Sequence, residues 1–85
     1  MYSVVFTRPA LRRLRRIPKD TANLIREKID AIAADPYAPH NNVTKLAGRS
    51  GYRLHVGDWR VIYELQNEQV VMLVIKVGPR GEIYK

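Results

Sequence analysis

The chain has 85 residues, which is enough for one small domain. Its hydrophobic fraction of 46% is normal for a globular core and argues against a disordered chain. The formal net charge of +7, from 15 basic and 8 acidic residues, favours a polyanionic partner such as RNA, DNA or an acidic protein. Because the sequence contains no cysteine, disulfides and thiol chemistry are excluded.

The sequence carries no signal for secretion or membrane insertion. No apolar run approaches the roughly 20 residues of a membrane span. The first 16 residues, MYSVVFTRPALRRLRR, lack the basic-then-apolar order of a signal peptide. We therefore expect a soluble, cytoplasmic protein with no membrane partner, in which residues 1–85 form a single domain.

The N-terminal third predicts one strand and two helices. Residues 2–6 (YSVVF) are β-branched and aromatic, as in a strand. Thr7 can cap the helix that follows, and Pro9 is tolerated in its first turn. A second helix runs to about Ala34, where Asp35-Pro36 ends it. Two helices so close in sequence are expected to form an αα-hairpin.

The first helix is strongly basic. Its outer surface carries five arginines, namely Arg8, Arg12, Arg13, Arg15 and Arg16. A solvated helix face is the ordinary interpretation of such a pattern. These arginines could also bind the phosphates of RNA without reading sequence, or an acidic protein.

The second half of the chain predicts a sheet. Residues 36–50 are rich in turn formers and are expected to be mostly irregular. Three strands follow near 52–56, 59–65 and 70–77, and the last is almost continuously apolar, as in a strand buried on both faces. Gly78-Pro79 is expected to turn the chain after it. The order β-α-α-β-β-β predicts an α+β fold in which the αα-hairpin packs on one face of a small antiparallel sheet.

The stretch GYRLHVGDWRVIYEL, residues 51–65, sorts into two faces. If Gly57-Asp58 forms a two-residue hairpin loop, the pairing register of the flanking strands is fixed. Directly opposed residues share a face, and faces alternate along each strand. One face is then apolar or aromatic, with Tyr52, Leu54, Val56, Trp59, Val61, Tyr63 and Leu65. The other carries Arg53, His55, Arg60, Ile62 and Glu64.

The second face contains an unusual pair. His55 and Arg60 are expected to lie opposite each other, with Cβ atoms about 5 Å apart. A protonated His55 would place like charges together, so the pair makes better sense if an anion binds between them. Nearby arginines should also lower the pKa of the histidine. An ordinary solvated sheet face remains the alternative, although Ile62 among the charges suggests that a partner covers part of it.

Three motifs in order resemble a known family. They are L-x-G, Y-R-L-x-V-G-x-W-R-V-I-Y and V-G-x-R-x-x-x-Y, preceded by a strand and an Ala-x-x-x-Leu helix. Together they span nearly the whole chain. This pattern resembles the RelE/ParE toxin superfamily and, within it, the RelE-type ribosome-dependent mRNA interferases.

The resemblance implies the toxin of a type II toxin–antitoxin system. Such a toxin is a metal-free, cofactor-free endoribonuclease that cuts mRNA in the ribosomal A site and so inhibits translation. The arginines of the first helix would contact RNA or the ribosome. A cognate antitoxin, expected to be acidic and to have a DNA-binding part, would neutralise the toxin and link it to operator DNA. With two histidines and no cysteine, no metal site is expected, and His40 is interpreted as a loop residue.

The family pattern also assigns candidate catalytic residues: Arg53, His55, Arg60, Arg80 and Tyr84. As a hypothesis, Arg53 and Arg60 hold the scissile phosphate, and Arg80 stabilises the departing 5′-oxygen and could help to protonate it. Either His55 or Tyr84 takes the proton from the attacking 2′-hydroxyl. RelE-type enzymes often carry lysines where this chain has Arg53 and His55, so the identity of the base stays open. Two alternatives remain: a ParE-type poison of DNA gyrase, and an inactive relative that only binds its antitoxin.

Overall fold

Two helices and five strands make up residues 1–81, the part of the chain that the computed structural model describes. The elements are β1 (Ser3–Phe6), α1 (Arg8–Arg16), α2 (Lys19–Ala34), β2 (Val43–Lys45), β3 (Tyr52–Val56), β4 (Trp59–Gln66) and β5 (Val71–Pro79). The strands form one sheet in the order β1-β5-β4-β3-β2. β1 pairs with β5 in parallel, and the other pairs are antiparallel.

Thr7 joins the start of α1 to the sheet. Its hydroxyl oxygen accepts a hydrogen bond from the Ala10 amide at 3.3 Å, which caps the helix as expected. The same hydroxyl donates to the Ile75 carbonyl at 2.6 Å. A single side chain therefore ends β1, begins α1 and fixes both against β5.

The core lies between the helical hairpin and one face of the sheet. Both helices contribute small or aliphatic side chains, namely Ala10, Leu14, Ile17, Ala22, Ile25, Ile29, Ile32 and Ala33. The three longest strands of the sheet contribute Leu54, Val56, Val61, Tyr63, Met72, Val74 and Val77. Tyr52 stacks on Tyr63 with 5.3 Å between ring centroids, and Trp59 packs against the same core. The predicted α+β fold with an αα-hairpin on one sheet face is confirmed.

The sheet differs from the prediction in two respects. Residues 43–45 form an additional edge strand, with Val43 paired to Leu54 and Lys45 to Tyr52. The surrounding turn formers conceal this three-residue strand in the sequence. The sheet is also mixed rather than wholly antiparallel, because β1 and β5 pair in parallel. A parallel pair needs a long crossover connection, and here residues 7–70 provide it.

β5 also differs from its predicted burial and end. Val71, Leu73 and Ile75 are only half-buried, so this apolar strand is fully covered on one face only. The chain does not turn at Gly78-Pro79, since both residues still pair with β4, and the turn comes at Arg80 and Gly81. Pro79 is tolerated because β1 pairs with β5 only as far as Val74, so the end of β5 has a strand neighbour on one side only. Within residues 1–81, neither helix is long and apolar enough to cross a membrane.

Gly51, just before β3, lies so close to the backbone of β4 that a side chain at this position is expected to destabilise the fold. Its φ is +115°, and an added Cβ would lie 2.9 Å from the Tyr63 carbonyl oxygen. Gly48 is a matched control because its φ is +73° but nothing lies within 4 Å of its added Cβ. We expect Gly51→Ala to lower the free energy of unfolding by about 2 kcal/mol more than Gly48→Ala, measured by urea denaturation. Equal losses would show that backbone strain alone matters at Gly51.

Candidate active site

The β3–β4 hairpin has the predicted register. Gly57 and Asp58 form the loop, with Gly57 in the left-handed region at a φ of 57°. Val56 pairs with Trp59, His55 with Arg60, and Arg53 with Ile62. The second face of the sheet, opposite the helices, therefore brings Arg53, His55 and Arg60 together as predicted.

Arg60 is the one charged residue among those described that is classed as buried, with 9% of its surface exposed. Its Nη1 donates to the Gly57 and Trp59 carbonyl oxygens, each at 3.0 Å, which braces the guanidinium against the hairpin loop. No carboxylate within residues 1–81 forms an ion pair with it. A buried cation that is held by backbone carbonyls alone favours an anionic ligand, because charges out of water are stabilised by an opposite charge.

Arg53 and His55 contact each other directly. They are two residues apart on β3, so both lie on the same face, and Arg53 Nε donates to His55 Nε2 at 2.9 Å. An imidazole nitrogen that accepts a hydrogen bond carries no proton. His55 is therefore neutral in this arrangement, with its proton on Nδ1.

The surroundings of His55 keep it neutral. Partial burial, followed by repulsion from Arg60, Arg53 and Arg80, lowers the pKa of His55 below its ordinary value of 6.5. The direction agrees with the expectation from the sequence. At neutral pH the histidine can therefore accept a proton, which is the property that a general base needs.

Arg80 reaches the same region from the end of β5. Its backbone N–H donates to the Asp58 carbonyl at 2.9 Å, so it is fixed to the hairpin loop that also braces Arg60. Its side chain is exposed and close enough to act electrostatically on His55. Arg53, His55, Arg60 and Arg80 form what we call the cationic cluster. Tyr84, the fifth predicted residue, lies outside the described residues.

Lys76 also lies on this face but was not predicted as a site residue. It pairs with Ile62, which pairs with Arg53, so these three residues form a row across three strands. A register irregularity between β4 and β5 after Ile62 hides this position from a simple alternation pattern. A single lysine in an otherwise apolar strand is the only sequence signal for it.

Ile62 does not need a partner to cover it, contrary to the expectation from the sequence. Only 4% of its surface is exposed. It stands between Arg53 and Lys76, and long cationic side chains bury their aliphatic stems along apolar surface while the charged ends stay in water.

The arginines of α1 lie on the other side of the molecule. The inner face of α1 packs on the core side of the sheet, through Ala10 and Leu14. Four arginines and Leu11 line a shallow cavity of about 400 Å³ on this helix; the arginines are Arg8, Arg12, Arg15 and Arg16. Arg13 does not line it and is half-buried. The structure therefore separates these arginines from the cationic cluster by the thickness of the sheet.

Comparison with known proteins identifies the family. The sequence model for the ParE toxin of type II toxin–antitoxin systems, parDE, matches residues 4–84. No curated protein matches the chain by sequence. The fold is similar to the archaeal RelE–RelB complex from Pyrococcus horikoshii OT3, with 29% identity, a TM-score of 0.81, and 95% of this chain and 97% of that chain covered.

Two E. coli structures match the fold with the same TM-score. The toxin of the intact E. coli RelBE toxin–antitoxin complex is 26% identical over 93% of this chain and 96% of its own, with a TM-score of 0.81. The isolated E. coli RelE toxin is 27% identical over 99% of this chain and 92% of its own, also with a TM-score of 0.81. The chain thus belongs to the ParE toxin family of type II toxin–antitoxin systems, within the RelE/ParE toxin superfamily.

Proposed function

We propose that this toxin is a ribosome-dependent endoribonuclease that cleaves mRNA in the A site and so inhibits translation. One observation carries the proposal: three arginines surround a neutral histidine on the sheet face opposite the helices. Such a cluster combines phosphate binding with a proton acceptor, which is what cleavage by a 2′-hydroxyl requires. The similarity to RelE structures supports it.

We propose a role for each side chain of the cluster. Arg53 and Arg60 bind the non-bridging oxygens of the scissile phosphate and stabilise the charge that grows on them in the transition state. His55 accepts the proton of the 2′-hydroxyl as its oxygen attacks phosphorus, which leaves a 2′,3′-cyclic phosphate. Arg80 stabilises the departing 5′-oxygen. Because arginine is not deprotonated in proteins, the proton that this oxygen gains comes from solvent.

Tyr84 retains two proposed roles. It is the alternative acceptor of the 2′-hydroxyl proton, and its ring can instead stack on a base of the message, as RNA-binding aromatics do. The chemistry that we propose uses only side chains of the toxin. Within residues 1–81, no three carboxylate or imidazole groups lie close enough together to hold a metal ion.

The partners follow from the charge and from the similar structures. The E. coli and Pyrococcus horikoshii OT3 toxins are seen in complexes with RelB antitoxins. We infer that residues 1–85 act as one RelE-like domain that binds a cognate antitoxin, acidic and with a DNA-binding part, through which it reaches operator DNA. In the cytoplasm, the α1 arginines would bind ribosomal RNA through its phosphates.

A ParE-type poison of DNA gyrase is the second candidate. The observation that favours it is the family description itself, since the matching sequence model is that of the ParE toxin. This candidate predicts DNA damage with intact mRNA after induction of the toxin. The nuclease predicts cuts in frame on translated messages. An inactive relative that only binds its antitoxin predicts no growth arrest.

Arg60 and Arg80 test the proposed nuclease directly. Arg60→Ala and Arg80→Ala should each slow mRNA cleavage by about 10²-fold, because each removes a charge that stabilises the transition state. Arg49→Ala is the matched control, since Arg49 is an exposed arginine of the loop before β3. Cleavage is measured by mapping mRNA 5′ ends after induction. Full cleavage in both site variants would contradict the site assignment.

His55 gives a pH test. As base, it must be neutral in the free enzyme, so kcat/KM should fall with decreasing pH only below pH 6.5, where its lowered pKa lies. Arg60→Gln removes the largest charge effect on His55, so it should move this limb toward higher pH by more than Arg80→Gln does. The profile is measured on programmed ribosomes. If His55→Asn slows cleavage but leaves the shape of the profile unchanged, the base is another group.

A further inference from the structure

The hydrogen bond between Arg53 and His55 occupies the very atom that a general base would use. In the neutral tautomer fixed by this bond, Nε2 carries the one unprotonated lone pair of the ring. Arg53 Nε points its proton at that lone pair from 2.9 Å. The other tautomer would set an Nε2 proton against the Arg53 proton, which is unfavourable. His55 therefore cannot accept a proton from RNA until Arg53 moves.

We propose that Arg53 is a latch on His55 that a bound phosphodiester opens. This inference rests on the proposed nuclease function and concerns the regulation of the same site. In the free toxin, Arg53 masks the base and fixes its tautomer. When a phosphate oxygen enters the cationic cluster, Arg53 turns to that oxygen, and His55 Nε2 becomes available to the 2′-hydroxyl.

The strengths of the competing hydrogen bonds favour this exchange. A guanidinium donates more strongly to an anionic oxygen than to a neutral nitrogen, because the opposite charges add an attraction that the neutral acceptor lacks. Arg60 is held to the hairpin loop by two carbonyls, so it forms a fixed part of the phosphate site. Arg53 instead is held in part by a neutral side chain, which a phosphate can replace. In this scheme Arg60 positions the anion, and Arg53 exchanges its bond to His55 Nε2 for a bond to the anion.

The groups around His55 make the masked state the resting state. The charged residues on this face are Arg53 on β3, Arg60 on β4, Lys76 on β5 and Arg80 beyond it, together with Glu64 farther along β4. Three of the cations disfavour a protonated imidazole. A neutral ring that accepts from Arg53 avoids this repulsion. The negative charge of a phosphate then reduces the repulsion at the moment when the ring must become protonated.

The proton transfer is balanced within this scheme. The 2′-oxygen forms a bond to phosphorus as its proton passes to His55 Nε2, and the bond from phosphorus to the 5′-oxygen breaks. The resulting imidazolium carries protons on Nδ1 and Nε2. It loses the Nε2 proton to water when the product leaves, and Arg53 then returns to Nε2.

The test is the ¹⁵N spectrum of the histidine side chains in the full-length toxin at about pH 8, where the ring is neutral. In the free protein, we expect His55 Nδ1 to be protonated and Nε2 to be an acceptor with a donor bound. Titration with inorganic phosphate at constant ionic strength should shift the Nε2 resonance saturably and leave Nδ1 protonated. Chloride is the ionic-strength control. A trinucleotide with 2′-deoxyribose, which lacks the attacking hydroxyl, should give the same shift.

Two variants test whether Arg53 itself, rather than the loss of any one arginine, controls the tautomer of His55. Arg53→Met removes the donor and the charge but keeps an unbranched stem, so both His55 tautomers should appear and phosphate should no longer shift Nε2. The matched control Arg49→Met should behave as the parent protein, because Arg49 is exposed in the loop before β3. If Arg53→Met does not fold, the phosphate titration of the parent protein still decides the question.

The outcomes also distinguish the latch from the nuclease. The latch is overturned if His55 keeps a single tautomer in Arg53→Met. It is also overturned if phosphate does not shift the Nε2 resonance in the parent protein, even when mRNA is cleaved. A phosphate-dependent Nε2 shift without any mRNA cleavage supports the latch and overturns the nuclease.

Discussion

Gly57 and Asp58 set the register of the β3–β4 hairpin, and the cationic cluster depends on that register. A loop one residue longer or shorter would shift the pairing and bring Arg53 and His55 to the core side of the sheet. The loop also supplies anchors directly. Gly57 accepts from Arg60, and Asp58 accepts from the backbone of Arg80. Two arginines far apart in sequence are thus held near the same turn.

The cluster costs stability, and its neighbours limit that cost. Three arginines near one another repel, and one of them is mostly out of water. Backbone carbonyls at the loop offset part of this cost for Arg60, and a neutral histidine does so for Arg53. Stability at such positions is commonly exchanged for function. In the proposed function, a bound phosphate would offset this repulsion between the arginines.

Alternation and turn chemistry were sufficient to predict the hairpin. Period-two patterning separated Leu54 and Val61 from Arg53 and Arg60, and a glycine loop fixed which residues face each other. The edge strand at 43–45 could not be predicted, because three residues among turn formers are too few to show the alternation of apolar and polar side chains. The parallel pairing of β1 with β5 could not be predicted either, since no turn or short-range motif connects two strands that are so far apart in sequence. Lys76 was hidden by the irregular register of β5.

The Arg53–His55 contact was beyond sequence reasoning for another reason. Both residues were predicted on one face, but a shared face leaves open whether a long side chain turns to its neighbour or to solvent. The roles of Arg53 and His55 in binding and proton transfer remain proposals. The hairpin register predicted that they share a face, the family resemblance marked them as candidate site residues, and only the side-chain geometry shows which nitrogen is engaged.

The pairing of β1 with β5 has a consequence for when a newly made chain becomes harmful. Ser3 pairs with Val71, and Phe6 with Val74, so the sheet closes between two segments that lie far apart in sequence, of which β5 is made later. β5 is also the strand that joins β1 to β4, and Arg80 follows it directly. Contacts so distant in sequence form late in folding. The cluster is therefore assembled only once β5 is in place, and any activity that depends on the cluster begins only then.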